Sequence, residues 1–259
     1  MTEAKWPYAR VAAHRGCGTM APENTLEGFR TGLYMGYRAM ETDAMLAKDG
    51  VLVLMHDEKF GRTVRGEGRV PEFTSQEIRC MDAGSYYAPQ FAGVPPAGFE
   101  QAVRWCRAND VWLNIEIKPA AGAEYETGLA VGRLTNELYA DVVVEGGSEQ
   151  RNASAKAPLF SSFKREALKG ALESAPDIPR GFLVDDVPED VFDVLREMKC
   201  VSLHVNYRKL TPEFAAEVKK AGYWLFCYTP NDPKVIRELF SWGVDGVCTD
   251  RLDLVSPAM

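Results

Sequence analysis

The chain has no CxxC pair, and its six cysteines are scattered at 17, 80, 106, 200, 227 and 248. That spacing excludes a zinc ribbon and a disulfide framework, and it leaves reduced, mostly buried thiols in a cytosolic setting. No apolar run approaches the roughly 18 residues that a membrane span needs. The start, MTEAKWPYAR, lacks the apolar core of a signal peptide. Basic excess is missing too: 30 Lys and Arg stand against 37 Asp and Glu, a net charge of −7. Nucleic-acid backbones want a basic face, so the charge argues against them as partners. No GxGxxG follows the first apolar run, since Gly16, Gly18 and Gly28 do not make that dinucleotide fingerprint. No internal repeat is visible. Histidine is scarce, with three residues in 259.

What is present is alternation. Short apolar runs at 10–13, 39–46, 112–117, 159–162, 181–184, 201–206, 223–229 and 246–249 read as strands. Between most of them lie segments of helical period. In 25–37, Leu26, Phe29, Leu33 and Tyr37 share one face, and Asn24 with Glu27 suggests a capping box. Thr211-Pro212 and Asp232-Pro233 are helix starts with Pro in the first turn. Another apolar run, 51–55, follows a Lys48-Asp49-Gly50 turn. Residues 58–96 break the rhythm and read as an insertion over one end of the molecule, or as a small subdomain. A polar stretch at 145–157 reads as a loop, and its Asn152-Ala-Ser154 sequon would be inert in a cytosolic chain. Sequential βα units imply a parallel sheet. About eight such units in 259 residues, 46% hydrophobic, fit one α/β domain, a TIM (β/α)8 barrel spanning 1–259. An open doubly wound sheet is the competitor.

Residues two apart on a strand point to the same side, so Glu41 and Asp43 project together, as do Glu116 and Lys118. Adjacent carboxylates repel unless a cation sits between them. Glu41, Asp43 and Glu116 therefore suggest a site for one hard divalent cation with oxygen ligands, Mg²⁺ or Ca²⁺. The plainer alternative pairs Glu41 and Glu116 with Arg15 and Lys118. His14 and His56 each end an apolar run, where catalytic groups emerge in a barrel, and imidazoles suit acid–base work near neutral pH. Asp57 either orients His56 or makes a turn. Arg15 offers a fork that matches phosphate oxygens. Lys118 is a second positive charge, with a Schiff-base role as the rival. His204 reads as structural or substrate-contacting, and Cys17 as a space-filler rather than a nucleophile.

HRG (14–16), APENT (21–25), ETD (41–43), KDG (48–50), HD (56–57), RT (62–63), EIK (116–118), SSF (161–163), YT (228–229) and GVDGVCTD (243–250) occur in this order. In these motifs the chain resembles the glycerophosphodiester phosphodiesterase family over nearly its whole length. The start, KWPYARVAAHRG, resembles cytoplasmic bacterial members serving glycerol-phosphate uptake. The resemblance implies a barrel with an insertion after HD. It also implies His14 and His56 as acid and base, Glu41, Asp43 and Glu116 as metal ligands, and Arg15 and Lys118 on the phosphate. The implied reaction splits a small glycerophosphodiester, such as glycerophosphocholine or glycerophosphoethanolamine, into glycerol 3-phosphate and an alcohol. The attacking oxygen would come from water, or from the neighbouring glycerol hydroxyl through a cyclic phosphate. A lipid-directed barrel phosphodiesterase and a non-catalytic binder are the alternatives. Two positions depart from the family pattern: Pro95–Glu100, where Pro-x-Leu-x-Glu is usual, and Pro230-Asn231, where Val-Asn is usual.

Overall fold

The computed structural model describes residues 5–143 and 155–259. Of the loop expected over 145–157 only the last three residues are described, and the sequon lies outside. Parallel strands need long crossovers, and here helices supply most of them. The barrel strands are β1 (Val11–Ala13), β2 (Ala39–Leu46), β4 (Trp112–Ile117), β5 (Leu159–Ser162), β6 (Arg180–Val184), β7 (Ser202–Asn206), β8 (Trp224–Tyr228) and β9 (Gly246–Thr249). The helices are α1 (Leu26–Tyr34), α2 (Ser75–Ile78), α3 (Phe99–Ala108), α4 (Glu124–Leu138), α5 (Arg165–Ser174), α6 (Val191–Glu197), α7 (Pro212–Lys220) and α8 (Pro233–Ser241). Strand order runs β1-β9-β8-β7-β6-β5-β4-β2, and the Ala13–Met40 pairing of β1 with β2 closes the circle. The expected (β/α)8 barrel is the fold.

The apolar run at 51–55 is not a barrel strand. It forms β3 (Leu52–Leu54), which lies antiparallel on Ala44–Leu46 of β2. A turn of a few residues cannot carry a crossover, so the chain folds straight back. Val53 is buried against the insertion in a separate small core with Val64, Val70, Ile78 and Ala83, while Leu52 and Leu54 on the other face join the main core. The insertion at 58–96 thus covers the β2–β3 hairpin.

The expected cap of α1 is corrected by the structure. Thr25, not Asn24, caps the helix, accepting from the Gly28 N–H at 3.0 Å. Asn24 adopts a left-handed backbone, φ +54°, which frees its side chain for another task. The starts expected for α7 and α8 hold: Thr211 accepts from the Phe214 N–H and Asp232 from the Lys234 N–H.

The bottom of the barrel is filled from outside the βα pattern. Trp6 and Tyr8, ahead of β1, pack with Trp112 and Trp224; the Tyr8 ring stacks on Trp112 at 4.2 Å between centroids. A sealed floor leaves the opposite end of the barrel for chemistry. Among the described residues no helix is long and apolar enough to cross a membrane.

Candidate active site

The site begins where β1 ends. The chain turns through His14–Gly16, with Arg15 in the left-handed region at φ +51°. A non-glycine residue there is strained by about 1–2 kcal/mol. The turn is held by the Arg15 N–H, which donates to Glu41 Oε2 at 2.9 Å. It also demands glycine next, because a Cβ on Gly16 would lie 2.0 Å from the Phe29 ring.

Glu41 and Asp43 face inward from β2, and register sets Asp43 beside Glu116 of β4. All three are buried, and carboxylate oxygens from the three lie within 4.8 Å of one another. Burial and the neighbouring Asp43 charge push the Glu41 and Glu116 carboxyls well above the usual range. Asp43 goes the other way: Arg15 and His56 outweigh burial and hold it ionised. Asn24 donates to Asp43 Oδ2 at 2.8 Å while its carbonyl accepts from Thr42 and the Asp43 N–H. Glu41 Oε1 is buried with no hydrogen-bond partner among the described residues. A buried, mutually repelling, partly unsatisfied set of hard oxygen donors fits a divalent cation.

His14 and His56 line one cavity with Glu41 and Glu116. Each has a carboxylate behind it: His14 Nδ1 lies 2.6 Å from Asp250 Oδ1, and His56 Nδ1 lies 2.6 Å from Asp57 Oδ1. Asp250 accepts from the Asn231 amide at 3.2 Å, and its own N–H donates to Asn231 Oδ1 at 2.8 Å. The two imidazoles differ in environment. Burial would lower His14, but the Asp250 hydrogen bond and the Glu41 charge raise it. For His56 burial wins over Asp43 and lowers it. His56 arrives on the antiparallel β3, which brings it back down to the barrel mouth, where the Met55 N–H donates to the Asp43 carbonyl.

Arg15 Nη1 donates to Glu23 Oε1 at 2.8 Å, and its Nε lies 3.7 Å from Asp43. Lys118 Nζ sits 2.9 Å from Glu116 and 5.4 Å from the Phe163 ring centre. The Glu116 and Asp43 charges outweigh burial and keep Lys118 an ammonium, which disfavours the Schiff-base alternative. Arg62, on the insertion, donates to Glu23 at 2.7 Å and also to Asp57. It therefore ties the partner of Arg15 to the partner of His56.

The structure thus brings all seven expected residues, His14, Arg15, Glu41, Asp43, His56, Glu116 and Lys118, to one place. Six of them line a cavity of about 210 Å³, and Asp43 lies just behind it. Sequence patterning did not single out Asp250, Asn231, Asn24, Glu23 and Arg62 as members of the site. The Asp250–His14 contact spans 236 positions and carries no local pattern. Cys17 is buried, and burial pushes its thiol up to about 12, which disfavours a nucleophilic role near neutral pH.

A barrel with two carboxylate-backed histidines and a carboxylate cluster that could hold a metal ion at its open end has the form of a barrel hydrolase. The sequence profile of the glycerophosphoryl diester phosphodiesterase family matches residues 14–254, and the chain belongs to that family. A glycerophosphodiester phosphodiesterase of Caldanaerobacter subterraneus subsp. tengcongensis is 32% identical over 240 residues, 93% of each chain. A phosphodiesterase of Oleispira antarctica, solved with its product sn-glycerol-3-phosphate, superposes with a TM-score of 0.84 at 30% identity, covering 96% of each chain. The glycerophosphodiester phosphodiesterase of Thermotoga maritima gives 0.68 at 26% identity, covering 95% and 96%.

Proposed function

We propose that the chain is a single catalytic domain, residues 1–259, that hydrolyses glycerophosphodiesters. Substrates of the glycerophosphocholine and glycerophosphoethanolamine type would yield sn-glycerol 3-phosphate and an alcohol. A cytoplasmic location suits its free thiols. The observation that carries the reading is the convergence of three carboxylates, two histidines, Arg15 and Lys118 around one cavity. Carboxylates outnumber cations there, so a phosphodiester anion needs added positive charge.

Glu41, Asp43 and Glu116 would hold that charge as Mg²⁺ or Ca²⁺, which would screen the diester and stabilise charge developing on its oxygens. Arg15 and Lys118 bind the remaining phosphate oxygens, the arginine as a fork and the lysine as a point charge. One histidine accepts the proton of the attacking hydroxyl as the new P–O bond forms. The other donates a proton to the alkoxide as the old P–O bond breaks. If the neighbouring glycerol hydroxyl attacks, the cyclic phosphate it forms is then opened by water, with the two histidines exchanging their tasks, to give glycerol 3-phosphate. Asp250 and Asp57 fix the ring orientations and support the charged imidazolium.

The test is a coupled assay for glycerol 3-phosphate release across several head groups, with and without chelator. Release from the glycerol diesters, loss after exhaustive chelation, and return with Mg²⁺ or Ca²⁺ are expected. Full activity after chelation would remove the cation from the account.

A further inference from the structure

Beside the carboxylate cage the barrel interior stays polar where packing would favour apolar side chains. Asn114, Ser161 and His204 line the deep wall of the cavity, and all are almost wholly buried. Asn114 Oδ1, Ser161 Oγ and His204 Nε2 have no hydrogen-bond partner among the described residues. Ser202, two positions before His204 on β7, has an equally unpartnered hydroxyl beneath them. Leaving several buried polar atoms unmatched is destabilising, so such a group is expected to meet a polar ligand.

The chemistry of the set narrows the ligand. It contains an amide carbonyl, a hydroxyl and an imidazole nitrogen, and no formal charge. Burial holds His204 neutral, pushing it down to about 3. A neutral set of donors and acceptors suits alcohol hydroxyls, not phosphate or ammonium. Its position narrows the ligand further. Asn114 lies beside Glu41 in register, and Ser161 beside Glu116. A molecule whose phosphate sits among Arg15, Lys118 and the cage would reach this wall with its next few atoms. Space is reserved for the imidazole: a Cβ on Gly181 would lie 2.5 Å from His204 Nε2, and the ring rests on Phe226 at 4.8 Å.

We propose that Asn114, Ser161 and His204 form a hydroxyl-recognition floor that selects the glycerol end of the diester over alkyl groups lacking hydroxyls. This rests on the phosphodiesterase reading for the placement of phosphate, but its test does not need turnover. Calorimetry compares the holoenzyme binding sn-glycerol 3-phosphate with its binding of n-propyl phosphate, which differs only by the two hydroxyls.

The wild type should prefer glycerol 3-phosphate, by about tenfold or more. Ser161→Ala and His204→Leu should each erase most of that preference, and His204→Gln should restore part of it. Thermal melts check that each variant is folded, and Ser161→Ala, a change of one buried atom, guards against a His204 variant that is not. Equal binding of the two ligands by the wild type, or a preference that survives both variants, would overturn the floor and leave it a chamber for water. A preference that persists while no diester is cleaved would keep the floor and sink the hydrolytic reading instead.

Discussion

A carboxylate behind an imidazole decides which protonation states that ring can use. Asp250 and Asp57 do this for His14 and His56, but the sequence advertises them unequally. Asp57 is adjacent to its histidine, so its role was legible as one of two options. Asp250 lies 236 positions away from His14 and becomes a partner only because β9 pairs with β1. Asp250→Asn keeps the shape but cannot support an imidazolium, so kcat should fall by about 10²-fold or more with the melting temperature little changed. Steady-state kinetics alongside thermal melts reads both. His204 supports a prediction of another kind. Its folded pKa, about 3, lies below the ordinary 6.5, so the unfolded chain binds the proton more readily. The stability it contributes is present above pH 6.5 and is lost as pH falls toward 3. Denaturant unfolding at several pH values should show a slope in that window more positive by about 1.4 kcal/mol per pH unit in the wild type than in His204→Gln. An unchanged slope in the variant would place the acid sensitivity elsewhere.

At the level of elements, the boundary between legible and hidden follows the range of the contacts. Strands and helices rest on local periodicity, and the expected barrel strands all appear with small shifts at their ends. The run at 51–55 was legible as apolar and as following a turn, but not in its place, because a fully apolar run looks the same in a barrel strand and in a hairpin covered by an insertion. Asn24 misleads because a helix cap and a ligand-orienting amide call for the same residue type; Thr25 next door takes the cap. The insertion does more than cover β3. Through Arg62 it links Asp57 to Glu23, and so the His56 side of the site to the Arg15 side. Arg62→Ala should lower kcat/KM by roughly tenfold by freeing both carboxylates. Arg62→Lys should recover only part, because an ammonium cannot fork across two partners. Full activity in Arg62→Ala would show that the two sides hold their geometry without it.

Over the whole molecule, the residues proposed for the chemistry come from the first half of the chain and Asp250 from its end, and barrel closure makes them neighbours. The strand-end histidines and alternating carboxylates were readable because polar groups interrupt otherwise apolar runs. The sealing of the floor by Trp6 and Tyr8 was not, since aromatic residues ahead of β1 carry no period to align them with Trp112 and Trp224. With one end closed, the open end holds a cage, two backed imidazoles and a polar wall in one cavity. The central claim is that His14 and His56 share the proton transfers of phosphodiester cleavage there. The most direct measurement is kcat for a glycerophosphodiester with His14→Ala and His56→Ala, each confirmed folded by thermal melt. Each should lose about 10²–10⁴-fold, the usual worth of a general acid or base. A near-wild-type rate in either variant would contradict the account.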